Sequence, residues 1–153
     1  MIGLPEGNLG PRVDYAKVAP EGYDKLEQLS QYVDKSGLPR NLLELIRLRA
    51  SQINGCTYCI KYHSARAKAY GESDERIWLL SAWERVPIYT EKEKAAFAWT
   101  EEITLISKNH APDTVYQEAR KFFSEKELVD LTLAIISINA WNRISISMRD
   151  RLP

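Results

Sequence analysis

An excess of charge of either sign is missing from this chain. Lys plus Arg and Asp plus Glu each number 21 in 153 residues, so the formal net charge is zero. Phosphate neutralisation supplies most of the affinity for nucleic acids, and a balanced chain has no basic surplus to offer. Nucleic acid is therefore not an expected partner. A long apolar run is also missing. The richest stretch, Leu128 to Ile146, is broken by Asp130, Asn139, Asn142 and Arg143, so no membrane span is expected. Met1 to Gly7 lacks a basic start followed by an apolar segment, so no secretory leader is expected and a reducing cytoplasm is the default location. Cysteine is scarce, at two residues. In that compartment a pair points to catalysis or metal binding rather than a structural disulfide.

Glycine and proline are rare beyond the first 22 residues. Gly3, Pro5, Gly7, Gly10, Pro11, Pro20 and Gly22 crowd the start, and residues 1–21 read as an extended arm wrapped over the domain or a neighbour. Residues 22–153 read as one domain. Within it, Gly and Pro act as punctuation. A first helix is expected from Gly22 to Ser36, a second from Pro39 to Ile53 and a third from Cys56 to Gly71. A fourth is expected from Asp74 to Pro87. Thr90 with Glu93, and Ser124 with Glu127, form capping boxes. They open helices expected to reach Lys108 and Met148, with a shorter helix over Asp113 to Phe123 between them. No run alternates as a strand would. The fold class is all-α, with about six helices. The last helix carries apolar residues at nearly every angle, which places it at the centre of the domain or between subunits.

Cys56, Cys59 and His63 stand at i, i+3 and i+7. At about 100° per residue they fall within about 60° of one another on a helix. Ile60, Ala67 and Tyr70 share that stripe. Tyr58, Tyr62, Ala65 and Ala69 form a second one, suggesting a helix packed on two sides, one of them a subunit contact. The Gly55 break puts both cysteines in the first turn of a new helix, where unpaired amides and the dipole favour a thiolate. His63 is within reach as a base, and the two thiols can close a disulfide. This pattern points to a reactive dithiol. Inert core cysteines are the bland alternative. Zinc would find three ligands here and lack the fourth that tetrahedral coordination needs. His110, the only other histidine, reads as a loop residue. No metal or cofactor is expected.

The segment from Glu44 to His63, ELIRLRASQINGCTYCIKYH, resembles the core motif of the alkylhydroperoxidase AhpD-like proteins of the carboxymuconolactone decarboxylase superfamily. The match is a glutamate, eleven residues, C-x-x-C, three residues, then histidine. A looser likeness extends over most of residues 22–148. The resemblance implies an AhpD-like helical domain that assembles as homotrimers or homohexamers, and a peroxidase-type site acting on hydrogen peroxide or small organic hydroperoxides. It implies that Cys59 attacks the peroxide, Cys56 resolves it, and His63 and Glu44 form a proton relay. It also implies an external dithiol reductant, a lipoyl-bearing or thioredoxin-like protein. Lactone decarboxylation is not expected, because members performing it generally lack the paired cysteines.

Some peroxidases of the family carry histidine just before the second cysteine, where this chain has Tyr58. A phenol titrates near pH 10 and is a poor base at neutral pH. That departure keeps two alternatives open: a thiol–disulfide oxidoreductase or redox sensor, and a non-catalytic oligomeric binding domain. Spacing alone makes Glu44 a solvated residue beside Arg47, opposite the stripe of Leu42, Leu43, Leu45, Ile46, Ala50 and Ile53. Only the resemblance makes it a site residue. Asn54 reads as a helix terminator. Asn139, Asn142 and Arg143 read as structural hydrogen-bonders, and Trp78, Trp83, Trp99 and Trp141 as core or interface anchors.

Overall fold

The computed structural model describes residues 10–153, which contain helices and no strand. The helices are α1 (Tyr15–Val18), α2 (Pro20–Asp34), α3 (Arg40–Asn54), α4 (Thr57–Ala69), α5 (Asp74–Trp78), α6 (Glu91–Thr104), α7 (Ile106–Asn109), α8 (Asp113–Arg120) and α9 (Glu125–Met148). A 3-10 segment, Leu79–Arg85, follows α5. The all-α expectation is met.

Helix α3 is the centre of the molecule and packs mainly on α4, α6 and α9. Leu42 to Leu48 are buried without interruption, so α3 has no solvent face over that stretch. The core around it includes Leu43, Leu45, Ile46, Leu80, Phe97, Phe123, Leu131 and Ile135. Both capping boxes form. Glu93 N–H donates to Thr90 Oγ1 at 3.2 Å while Thr90 N–H donates to Glu93 Oε2 at 2.8 Å. Ser124 and Glu127 repeat the exchange at 2.8 and 3.1 Å.

Several boundaries differ from expectation for identifiable reasons. Helix α2 begins at Pro20, whose fixed φ suits the first helical position, and α1 forms inside the segment read as an extended arm. Residues 1–9 of that arm lie outside the described residues. The expected helix from Asp74 to Pro87 is α-helical only to Trp78, then tightens and kinks at Ala82. Leu80 and Trp83 are both buried while Trp78 is 73% exposed. Residues three apart eclipse in a 3-10 helix, so the tighter winding turns both side chains into the core. The expected helix reaching Lys108 breaks at Leu105 into α6 and α7.

The segment before α2 crosses the far end of α9. Arg12 N–H donates to the Met148 carbonyl at 2.9 Å, and Tyr15 O–H donates to Asp150 Oδ2 at 2.8 Å. Helix α9 buries Leu131, Ala134, Ile135, Ile138 and Asn142, but leaves Val129, Ile136 and Ile146 exposed. Its apolar circumference is thus half used within one chain. No helix among the described residues is long and apolar enough to cross a membrane.

Candidate active site

Helices α3 and α4 form a hairpin whose turn is almost nothing. Gly55, with φ +69°, caps α3 in the left-handed conformation that a side chain disfavours. Cys56 N–H donates to the Ser51 carbonyl at 3.0 Å, and Cys56 is the N-cap of α4. The chain therefore reverses within two residues. Eleven residues back along α3, about 16 Å from the turn at 1.5 Å per residue, stands Glu44. Out along α4 from Cys56, His63 stands about 10 Å away and Arg66 about 15 Å away. The hairpin sets Arg66 level with Glu44 and His63 about one turn nearer the reversal, both within side-chain reach of the Glu44 carboxylate.

The contact is direct. His63 Nδ1 lies 2.7 Å from Glu44 Oε2. Arg47 Nη1 donates to Glu44 Oε1 at 2.9 Å, and Arg66 Nε donates to the same oxygen at 3.1 Å. Arg47 Nη2 also donates to Asp34 Oδ1 at 2.7 Å, and Arg40 pairs with Asp34 Oδ2 at 2.7 Å. Glu44 is fully buried, at 0% exposure. The solvated position that spacing alone assigns to it is wrong, because α4 covers the polar face of α3.

Burial on its own raises the Glu44 carboxyl, but the His63 hydrogen bond and the Arg47 and Arg66 charges outweigh it. The net is a carboxyl held below its usual range. Burial pushes the His63 imidazole down, and the two guanidiniums push the same way, against the Glu44 contact. The net is a lowered value and a neutral ring at neutral pH. An ionised carboxylate only accepts, so Nδ1 must carry the ring proton. Nε2 then keeps its lone pair and is the basic atom.

Cys56 and Cys59 are bonded as a disulfide, with Cα atoms 5.3 Å apart. Their positions are unequal. Cys59, 4% exposed, lines a pocket of about 290 Å³ together with His63, Arg47 and Arg66. Cys56, 1% exposed, sits behind it among Ala50, Ile138 and Trp141. The Cys59 backbone N–H donates to Cys56 Sγ at 3.3 Å, so Cys56 caps its own helix through sulfur. Tyr58 also lines the pocket, and burial raises its phenol above its ordinary value. It is a neutral hydroxyl there, not a base.

The structure thus brings Cys56, Cys59, His63 and Glu44 into one neighbourhood. It adds Arg66, which sequence reasoning missed although it lies seven residues beyond Cys59 on the same stripe. Asp34 and Arg40 carried no comparable signal, since they come from α2 and the start of α3. Asn54 does more than end α3. Its Nδ2 donates to Asn139 Oδ1 and Asn142 Oδ1, both at 2.9 Å, tying the cysteine turn to α9. Asn142 Nδ2 donates to Ser51 Oγ at 2.9 Å. The asparagines are structural, as expected. Trp83 and Trp99 are core residues, Trp141 borders the pocket and Trp78 is a surface residue. His110 caps α7 in a left-handed turn. Among the described residues, no three His, Cys, Asp or Glu side chains are grouped to hold a metal ion.

The model of the carboxymuconolactone decarboxylase family matches residues 20–102, which include all four site residues. This chain belongs to that family. A Bacillus subtilis member, the uncharacterized protein YdfG, is 42% identical over 143 residues, covering 94% of this chain and 97% of its own. A crystal structure from Agrobacterium tumefaciens shares 40% identity and superposes with a TM-score of 0.91, over 94% of this chain and 99% of that one. It is described as a protein of unknown function and a candidate antioxidant defence protein AhpD. A debrominase shares the fold at 20% identity, with a TM-score of 0.78 over 90% of this chain and 74% of its own. The family and the AhpD-like fold agree with the reading of the Glu44 to His63 motif.

Proposed function

We propose that this family member is a dithiol peroxidase that reduces hydrogen peroxide or small organic hydroperoxides. The observation that carries the proposal is the pocket position of Cys59 beside a neutral His63 whose Nδ1 is anchored on Glu44. Nε2 takes the Cys59 proton. The thiolate sulfur bonds to the outer peroxide oxygen, the O–O bond breaks, and His63 returns the proton to the departing alkoxide. The products are an alcohol, or water from hydrogen peroxide, and a Cys59 sulfenic acid. Cys56 then attacks the Cys59 sulfur, the S–O bond breaks, and water leaves as the disulfide forms. An external dithiol, carried by a lipoyl-bearing or thioredoxin-like protein, reduces that disulfide and is itself oxidised. The working form in this proposal is a cytoplasmic homotrimer or homohexamer, supported by the exposed Val129, Ile136 and Ile146 on α9.

Cys59→Ser is expected to abolish peroxide consumption with a dithiol reductant. Unchanged consumption would remove the basis of the proposal. Tyr58 favours a second reading, thiol–disulfide exchange without peroxide turnover, since its phenol supplies no base. Stopped-flow oxidation of the reduced protein by peroxide and by a small aromatic disulfide separates the two.

A further inference from the structure

We propose that the pocket beside Cys59 selects hydroperoxides bearing an uncharged aromatic group and rejects those bearing a carboxylate. The inference rests on the dithiol peroxidase reading and names its substrate class.

Size comes first. A water molecule occupies about 30 Å³ of liquid, so a pocket of about 290 Å³ is several times larger than hydrogen peroxide requires. Its volume approaches the lower end for sites that enclose organic ligands. The walls come second. Tyr15, Tyr23 and Trp141 form a continuous aromatic row, with ring centroids 6.1 and 5.4 Å apart and the Tyr23–Trp141 pair edge-on. All three line the pocket, and α4 adds Tyr58 and Tyr62 to it. Such rings offer faces and edges to another ring.

Charge decides the rest. The pocket's two guanidiniums are already engaged, Arg47 by Glu44 and Asp34, and Arg66 by Glu44. Two further carboxylates line the pocket, Glu27 and Asp150. Among the described residues neither is paired with a cation; Glu27 accepts from Gln31 and Asp150 from Tyr15. Among the described residues, Arg40, Arg47 and Arg66 stand against four carboxylates, Asp34, Glu44, Glu27 and Asp150, so an anionic substrate would meet a net negative charge.

The test uses the reduced full-length protein in single-turnover stopped flow. Three probes are compared: hydrogen peroxide, cumene hydroperoxide, and cumene hydroperoxide with a para-carboxylate. Each rate is divided by that of the same peroxide with a free small thiolate. Cumene hydroperoxide is expected to exceed its carboxylate analogue by about tenfold or more, and to exceed hydrogen peroxide. Glu27→Gln combined with Asp150→Asn is expected to close most of the gap between the neutral and anionic probes. Trp141→Ala is expected to reduce the ratio of cumene hydroperoxide to hydrogen peroxide. Equal normalised rates, or a gap that the double variant leaves intact, would overturn the selection while leaving the peroxidase reading in place. Thiols that ignore all three peroxides but react with a small disulfide would overturn both.

Discussion

Replacing Glu44 by Gln removes one charge and almost no volume, and the structure fixes how much that should cost. The carboxylate is fully buried and accepts from Arg47, Arg66 and His63. Removing one partner of a buried ion pair costs about 3–5 kcal/mol, because the remaining charge is left uncompensated. Arg47 keeps Asp34 at 2.7 Å, and the Arg66 side chain is 32% exposed and partly solvated. Both relieve the loss, so the low end, about 3 kcal/mol, is expected. For a chain of this size that lowers the thermal midpoint by about 6–12 °C. Thermal unfolding followed by circular dichroism at pH 7 measures it, with Arg66→Met and the double variant completing a cycle. The cycle should show coupling, since Arg66 loses its reason to be there once Glu44 is neutral. A midpoint shift below about 3 °C, with additive single variants, would refute the view of Glu44 as a desolvated anchor.

Three further outcomes follow from the same geometry. His63→Ala is expected to slow iodoacetamide alkylation of reduced Cys59 at pH 7 by about 100-fold, the lower range for loss of a positioned base. A profile of rate against pH should lose its acid limb in that variant. Stability should fall with acid in two steps. The lowered His63 value makes the unfolded chain bind the extra proton as pH drops below the ordinary 6.5, so the native state loses ground there. The lowered Glu44 value adds a second loss below its ordinary 4.5. Urea midpoints between pH 8 and pH 4 should therefore decrease monotonically, and a gain in stability below pH 6 would contradict the assignment. Asn142→Ala should cost about 1–3 kcal/mol. It removes a fully buried donor to Ser51 and an acceptor from Asn54, and the loss is measurable by the same denaturation.

Much of the helix pattern was legible because local chemistry marks it. Thr90 and Ser124 with their glutamates announce helix starts whatever lies around them, and Gly55 announces a stop. The kink at Ala82 was not legible, because it arises from the need to bury Leu80 and Trp83 together. The dithiol and its histidine were visible as one stripe on α4. Tyr70, which shares that stripe in projection, is exposed at the end of the helix, since packing does not extend the length of the stripe. Glu44 was misplaced by periodicity for a definite reason. A wheel assumes that the face opposite the apolar stripe meets water, whereas α3 is covered on every side between Leu42 and Leu48. Only the family resemblance put Glu44 in the site. The pocket's outer wall was the least legible part. Tyr15, Tyr23, Trp141 and Asp150 come from separate segments and meet only in the fold.

The two-residue reversal at Gly55 and Cys56 makes the segment from Glu44 to Arg66 a ruler. Each residue added to either arm rotates everything beyond it by about 100° and shifts it by about 1.5 Å. One inserted residue therefore swings Glu44 off the face that His63 occupies. Four inserted residues nearly restore the angle but displace the carboxylate by about 6 Å, well past hydrogen-bond reach. Insertions in this part of the chain are thus forbidden by geometry, while the connections around Ala111 and Gly71 carry no such restriction. Its central ion pairs are internal to these 23 residues, apart from Asp34. That makes the hairpin portable: grafted whole between two helices of another bundle, with an acid supplied at the place of Asp34, it takes its proton-relay geometry with it.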